Sequence, residues 1–351
     1  VVLSTGAAQA SELSVAVKTD FAAEVLAEVC SDAPVDEARI RRSGAAKDML
    51  SHFVKFRDDF TMDNYVAARK AAAQCQALDR DIFRFSDVID KREVLRSQLG
   101  SILEQEERLP REISGMIQSM SPAGTVYDGA AILMIGTPSC GGWSNGQTFY
   151  VDVPCLDGDT QATLYLTAHE TYHGVQDQFM PAVDETAPSM LRLFDTVIRE
   201  GTALYIADYS RIENPGRYAK LNQDTIKTNR RRMRENFDLF DMLAVYLNAD
   251  GSHEAYSKAY SIGASGLFGS PLYSIGDHMT TALTERYGSE TVICLMQLPA
   301  NHFFAAYDAL RGEGPEEGGL YNLSETVANA AHGLGIEETA MDACLAMGVT
   351  P

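Results

Sequence analysis

The chain has 351 residues, of which 45% are hydrophobic and 22% are charged, a composition typical of a folded globular protein with a sizeable core. Acidic residues outnumber basic ones by 49 to 29, and the net charge of -20 argues against nucleic acid as a partner. The sequence contains no apolar run of about 18 residues, so we expect no membrane span.

The beginning of the chain and its cysteines both bear on cellular location. Residues 1–10 end in Ala8-Gln9-Ala10 before Ser11, the A-x-A pattern of a signal-peptide cleavage site; an ordinary alanine-rich leader is the alternative. An even number of cysteines is compatible with up to three disulfides in an exported protein, but in the cytosol they would be small buried apolar residues. We expect a periplasmic or secreted protein. The cysteines are Cys30, Cys75, Cys140, Cys155, Cys294 and Cys344.

Residues 11–122 are predicted to form an almost entirely helical N-terminal region. In the stretch DFAAEVLAEVC, apolar residues recur at helical spacing, as Phe21, Val25, Leu26 and Val29. The polar stretch 79–118 is broken by Pro110, so two helices are expected there. The region resembles no family, and an inhibitory or docking role for it is left open.

A small sheet is predicted next. Two runs of strand composition, AAILMIGT (130–137) and TFYVDVP (148–154), are joined by a Gly-rich loop. That loop holds Trp143, for which binding and packing roles are equally open. Helices return from Gln161, among them the long amphipathic SMLRLFDTVIREGTALYIADYS. The predicted fold class is therefore mainly α (α+β), with helices, a small sheet and helices again.

The stretch LTAHETYHGVQD (166–177) indicates a metal site. His169 and His173 are four residues apart, so on a helix they share one face and can bind the same zinc ion. Glu170 is rotated by about 100° from His169, where it can address a zinc-bound water without being a ligand. Ala162 and Leu166 continue the histidine stripe, so the imidazoles should point inward. Two surface histidines on a helix are the alternative, but inward ones are costly without a partner.

A catalytic zinc needs a third protein ligand and leaves its fourth position for water. The extended pattern H-E-x-x-H-x-x-G-x-x-H is excluded, because Gln176 and Phe179 occupy its last two fixed positions. A carboxylate on a later helix is the next option.

Glu200 is the best placed of the downstream carboxylates, because it lies on an otherwise apolar helical face. Gly201 follows it, and a glycine inside a helix suggests close approach of another backbone. Asp208 is the second choice as a ligand. The structural alternative is that Glu200 pairs with an arginine such as Arg192.

With His169, Glu170, His173 and Glu200, the chain resembles the gluzincin metallopeptidases. EGTALYIAD (200–208) is similar to the E-G-x-A stretch of several bacterial zinc-dependent peptidase families, and the weaker later matches are YSIG, Tyr287-Gly288 and FFAAYDAL. The resemblance covers roughly residues 125–312. It implies a zincin-like domain at 123–351, Zn2+ held by the two histidines and Glu200, and Glu170 as general base.

The resemblance also implies how substrate would be held. The strand TFYVDVP (148–154) would lie at the edge of the sheet and pair with an extended peptide. A Tyr or His from a later helix would stabilise the oxyanion; Tyr273 is the first choice, and Tyr260 and His278 are the alternatives.

The expected function is therefore hydrolysis of peptide bonds in a peptide or protein substrate. Two alternatives stay open: a zinc hydrolase acting on a non-peptide amide or ester, and a non-catalytic binding protein with a vestigial site. The intact motif argues against the second, because a degenerate site usually loses the glutamate base first. The sequence carries no signal for cleavage specificity or oligomeric state.

Overall fold

We describe the fold from a computed structural model, which describes residues 12–138, 140–265, 269–313, 320–333 and 340–347. The predicted signal-peptide remnant, residues 1–10, lies outside them. Among the described helices, none has the length and apolar character required to cross a membrane.

The N-terminal region contains a strand as well as helices. Its elements are β1 (Glu12–Lys18), α1 (Asp20–Glu28), α2 (Glu37–Arg42), α3 (Gly44–Phe53), α4 (Met62–Ala73), α5 (Phe85–Asp90), α6 (Arg92–Leu103) and α7 (Arg108–Gln118). The prediction of helix from residue 11 is wrong for β1, whose conformation depends on a partner strand more than 100 residues away. The stretch 79–118 forms three helices, and Pro110 lies in the first turn of α7, where proline is tolerated.

The small sheet has the order β1-β2-β4-β3, where β2 is Val126–Met134, β3 is Gly142–Asn145 and β4 is Thr148–Asp152. β1 and β4 both run parallel to β2, and β3 runs antiparallel to β4. The expected edge position of 148–154 is therefore wrong: β4 is internal, and the edge strand next to it is β3, formed by the predicted Gly-rich loop. β1 pairs with β2 across the expected boundary at residue 122, and the domain division stays a prediction.

The rest of the described chain is helical, and the structure confirms the mainly α (α+β) class. The elements are α8 (Val153–Leu156), α9 (Thr160–Phe179), α10 (Ser189–Ile206), a 3-10 turn (Tyr209–Arg211), α11 (Arg217–Arg231), α12 (Met233–Ala249), α13 (His253–Gly263), α14 (Pro271–Tyr287), α15 (Ser289–Met296), α16 (Ala300–Glu313), α17 (Glu325–Gly333) and α18 (Ala340–Ala346).

Helix α9 carries the two histidines, and Asp159 anchors its start. One Asp159 oxygen caps the helix by accepting from the Ala162 amide at 2.9 Å. The other accepts from the Ala219 amide of α11 at 3.0 Å. α9 lies between the sheet and α10, because it packs against β2 and β4 as well as against α10.

Three disulfides stabilise the fold: Cys30–Cys75, Cys140–Cys155 and Cys294–Cys344. All six cysteines take part in these disulfides. Trp143 is buried in β3 and stacks on Tyr150 with ring centroids 5.1 Å apart, so packing accounts for its position.

Candidate metal centre and active site

The structure brings His169, His173 and Glu200 together. Both histidines project from α9 toward α10, which carries Glu200, and Glu200 Oε2 lies 3.4 Å from Nε2 of each imidazole. The potential ligand atoms of the three residues all lie within 4.8 Å of one another. His169 is only 8% exposed, so the expectation that it points inward is confirmed.

The environment of Glu200 fits a bound cation. Its Oε2 atom is buried and, among the described residues, has no hydrogen-bond partner. A buried carboxylate oxygen in that state is destabilising unless a positive charge compensates it. Two imidazoles and one carboxylate form a donor set that zinc prefers, so the three residues fit a zinc ion with a position left for water.

The electrostatics of these residues also favour positive charge. Burial by itself would lower the pKa of His173, but the carboxylate of Glu200, with a smaller contribution from Glu170, raises it to about 9. Burial would likewise raise the pKa of Glu200, yet the two histidines hold it well below its usual range. The carboxylate of Glu200 therefore favours a positive charge beside it, whether a proton on the imidazole or a bound cation.

Neither the alternative partner of Glu200, Arg192, nor the alternative ligand, Asp208, contacts the histidine cluster in the described structure. Arg192 sits over the ring of Tyr256, with its guanidinium carbon 3.7 Å from the centroid. Asp208 accepts from Arg230 Nη2 at 2.8 Å and from the Ser210 hydroxyl at 2.7 Å. Asp208 is thus engaged outside the histidine cluster, and no described contact joins Arg192 to Glu200.

Glu170 lies beside the cluster in a cavity of about 190 Å³. His169 and Tyr273 line the same cavity, whereas His173 and Glu200 do not. The cavity is therefore bordered by the predicted base and by one of the predicted ligands.

Tyr273 is the candidate oxyanion donor that lines this cavity. Its ring is nearly parallel to that of His169, with centroids 6.1 Å apart. Burial, followed by the charges of Glu200 and other nearby groups, raises the pKa of Tyr273 well above its usual range, so its hydroxyl keeps its proton.

The two alternative donors occupy different positions. Tyr260 is 41% exposed, although burial of its hydroxyl and the charge of Glu200 raise its pKa to about 12. His278 faces Phe237 and Tyr321 instead of this cavity.

Sequence reasoning missed some residues of the site. Gln176 hydrogen bonds to His173. The sequence could have indicated this contact, because residues three apart on a helix are neighbours. Tyr209 and Tyr218 line the cavity from the 3-10 turn and α11. No local pattern could have identified them, because the chain folds back to place them there.

Among known proteins, the chain matches the model of one family. No curated protein and no solved structure matches the chain. Residues 40–311 match the model of a family described as putative zinc dependent peptidase (DUF5700). The match covers well over half of the chain and includes both helices of the His169–His173–Glu200 cluster. It begins at residue 40, so it also includes most of the N-terminal region, for which no family resemblance was expected. The chain therefore belongs to the DUF5700 family, a zinc peptidase family by that description.

Proposed function

We propose that the protein is a gluzincin-type zinc metallopeptidase. The observation that carries the proposal is the convergence of both H-E-x-x-H imidazoles on one buried oxygen of Glu200, which accepts no hydrogen bond from the described residues. Family membership supports the same chemistry at the level of zinc and peptide hydrolysis.

The roles follow from chemistry and position. Zinc, when bound by His169, His173 and Glu200, supplies a Lewis acid that activates water and polarises the scissile carbonyl. Glu170 accepts the proton of the attacking water and delivers it to the leaving amine. The hydroxyl of Tyr273, which keeps its proton, donates a hydrogen bond to the oxyanion.

The cavity supports a preference for an uncharged, apolar side chain next to the scissile bond. Its walls combine apolar and aromatic side chains with uncharged polar ones such as Asn222, Thr225 and Ser270, and in its described part they include no lysine or arginine. The apolar and aromatic members are Leu166, Leu204, Tyr209, Tyr218, Ile226 and Tyr273. Asn229, also in the lining, donates to Gly269 O and accepts from Arg232, so its amide is already used. Glu170 is the only carboxylate in the described lining.

An edge strand supports recognition of the substrate backbone. β3 pairs with β4 on one side and ends the described sheet on the other, and α9 packs against it. An extended peptide added alongside β3 would be held by main-chain hydrogen bonds with little demand on sequence.

We also propose that the protein is periplasmic or secreted. Three disulfides support this location, because such bonds form and persist in oxidising compartments.

The test is mass-spectrometric cleavage profiling on a diverse peptide library, with and without a chelator, using Glu170→Gln as the control. We expect chelator-sensitive cuts that are absent from the variant and that share an apolar residue at one position next to the bond. Glu170→Gln should keep its zinc, because the residue is not among the ligands.

Two results would contradict the proposal. Full activity of Glu170→Gln would exclude the mechanism. No cuts from folded, zinc-loaded wild type would instead favour hydrolysis of a non-peptide amide or ester, which a panel of small amides and esters would then test.

A further inference from the structure

Gln176 connects the two helices of the proposed metal site. It is fully buried on α9, one turn beyond His173, and its Oε1 lies 2.8 Å from His173 Nδ1. Its Nε2 lies 2.7 Å from Thr202 Oγ1 and 3.0 Å from the carbonyl oxygen of Arg199, both on α10. Arg199 and Thr202 flank Glu200 in the sequence.

The hydrogen-bond partners fix the orientation of this amide. The carbonyl of Arg199 can only accept, so the amide atom that faces it must be the NH2 group. The Thr202 hydroxyl donates its own hydrogen to Ile198 O at 2.7 Å and therefore accepts from Gln176. The remaining amide atom, Oε1, must then accept, and His173 Nδ1 must carry a hydrogen.

The consequence for His173 is a defined role for each ring nitrogen. With the Nδ1 hydrogen directed at Gln176, Nε2 is the nitrogen that can offer a lone pair. Nε2 is also the atom that faces Glu200. One buried amide thus orients the imidazole and, through Arg199 and Thr202, ties it to the segment that carries Glu200.

We propose that Gln176 is a positioning residue for metal binding: it holds His173 in the tautomer and orientation that present Nε2, and it fixes the spacing between His173 and Glu200. This inference rests on the metal site of the proposed function. Groups that orient a metal-ligating histidine typically contribute 10–100-fold to metal affinity.

The experiment measures Zn2+ affinity by competition with a chromophoric chelator, and the visible absorption spectrum of the Co2+-substituted protein. Gln176→Leu should lower Zn2+ affinity by roughly 10–100-fold and change the Co2+ spectrum, because the imidazole is released to rotate. The matched control is Gln98→Leu. Gln98 is also a buried glutamine, 2% exposed, which bonds to Thr163 and Gly158 away from the site.

The Gln98→Leu control distinguishes an effect on the orientation of His173 from a general loss of protein stability. Both substitutions remove a buried amide and should lower the unfolding temperature, but Gln98→Leu should leave metal affinity and the Co2+ spectrum unchanged. Equal affinity in Gln176→Leu and wild type would overturn the inference, as would equal losses in both variants.

A second variant serves if Gln176→Leu does not fold. Thr202→Val removes one acceptor of the Gln176 amide without contacting the histidine, so reduced Zn2+ affinity supports the inference and unchanged affinity overturns it. Failure of the wild type to bind Zn2+ is a distinct result, since it would contradict the metal site of the proposed function itself.

Discussion

Gly201 of α10 and Gly276 of α14 cross with their backbones in contact. A Cβ added to Gly201 would lie 2.2 Å from Gly276 Cα, and one added to Gly276 would lie 2.0 Å from the carbonyl oxygen of Val197. The close approach expected from a glycine at position 201 is confirmed. Because Gly201 follows Glu200 and Gly276 lies one turn beyond Tyr273, the crossing sets the distance between the proposed ligand and the proposed oxyanion donor.

Gly201→Ala and Gly276→Ala should therefore separate α10 from α14. We expect each to lower the free energy of unfolding by about 1–3 kcal/mol, because the added methyl meets backbone that cannot rotate away. Chemical denaturation measures the loss. Gly115→Ala on α7 is the control, since a Cβ there meets nothing within 4 Å, and it should stabilise the protein by roughly 0.5–1 kcal/mol. A stable Gly201→Ala variant would contradict the crossing.

Glu200→Ala should remove a zinc ligand. We expect its Zn2+ affinity to fall by more than the roughly 10–100-fold that loss of an orienting group gives. Isothermal titration with Zn2+ would measure it, with Asp208→Ala as the comparison, because Asp208 pairs with Arg230 away from the histidines. A large loss in Asp208→Ala and none in Glu200→Ala would assign the third ligand to Asp208.

Tyr273→Phe should keep zinc but lower kcat. Loss of one oxyanion donor typically reduces kcat by about 10²–10³-fold, and KM should change little because the donor acts on charge that develops in the transition state. Steady-state kinetics on a cleaved peptide would show this, with zinc content measured in parallel. If Tyr260→Phe has the larger effect on kcat, the donor is Tyr260.

Asp152 should make stability depend on pH. Burial raises its pKa from 3.8 to about 7, an effect that the hydrogen bond with Thr137 and the charge of Arg84 oppose and the charge of Asp87 reinforces. Between these two values the folded chain keeps a proton that the unfolded chain releases, so the free energy of unfolding falls as pH rises from about 4 to 7. The slope from this residue alone approaches roughly 1.4 kcal/mol per pH unit.

Asp152→Asn should remove that contribution. The measurement is urea unfolding of wild type and variant at pH 5 and pH 8. The free energy of unfolding of the variant, minus that of wild type, should be larger at pH 8 than at pH 5. If the free energies of unfolding of variant and wild type differ by the same amount at pH 5 and pH 8, Asp152 does not titrate between these pH values.

The sequence alone predicted the parts of the site that depend on spacing within one helix. His169 and His173 share a face because residues four apart lie one turn above each other, whatever surrounds the helix. The apolar stripe around Glu200 indicated its inward direction, and a glycine after it indicated a close helix contact. The metal-binding and catalytic roles of these residues stay predictions for the experiments above.

The tertiary structure decided which distant segments meet. β1 carries a strand pattern of its own, since Leu13, Val15 and Val17 recur at every second residue, but its parallel partner β2 lies more than 100 residues away. β3 lies at the edge because β4 pairs on both sides. Gln176 reaches Thr202 and Arg199 only because α9 packs against α10. Local spacing fixes where a side chain points on its own element, but the neighbour it meets depends on packing among residues far apart in the chain.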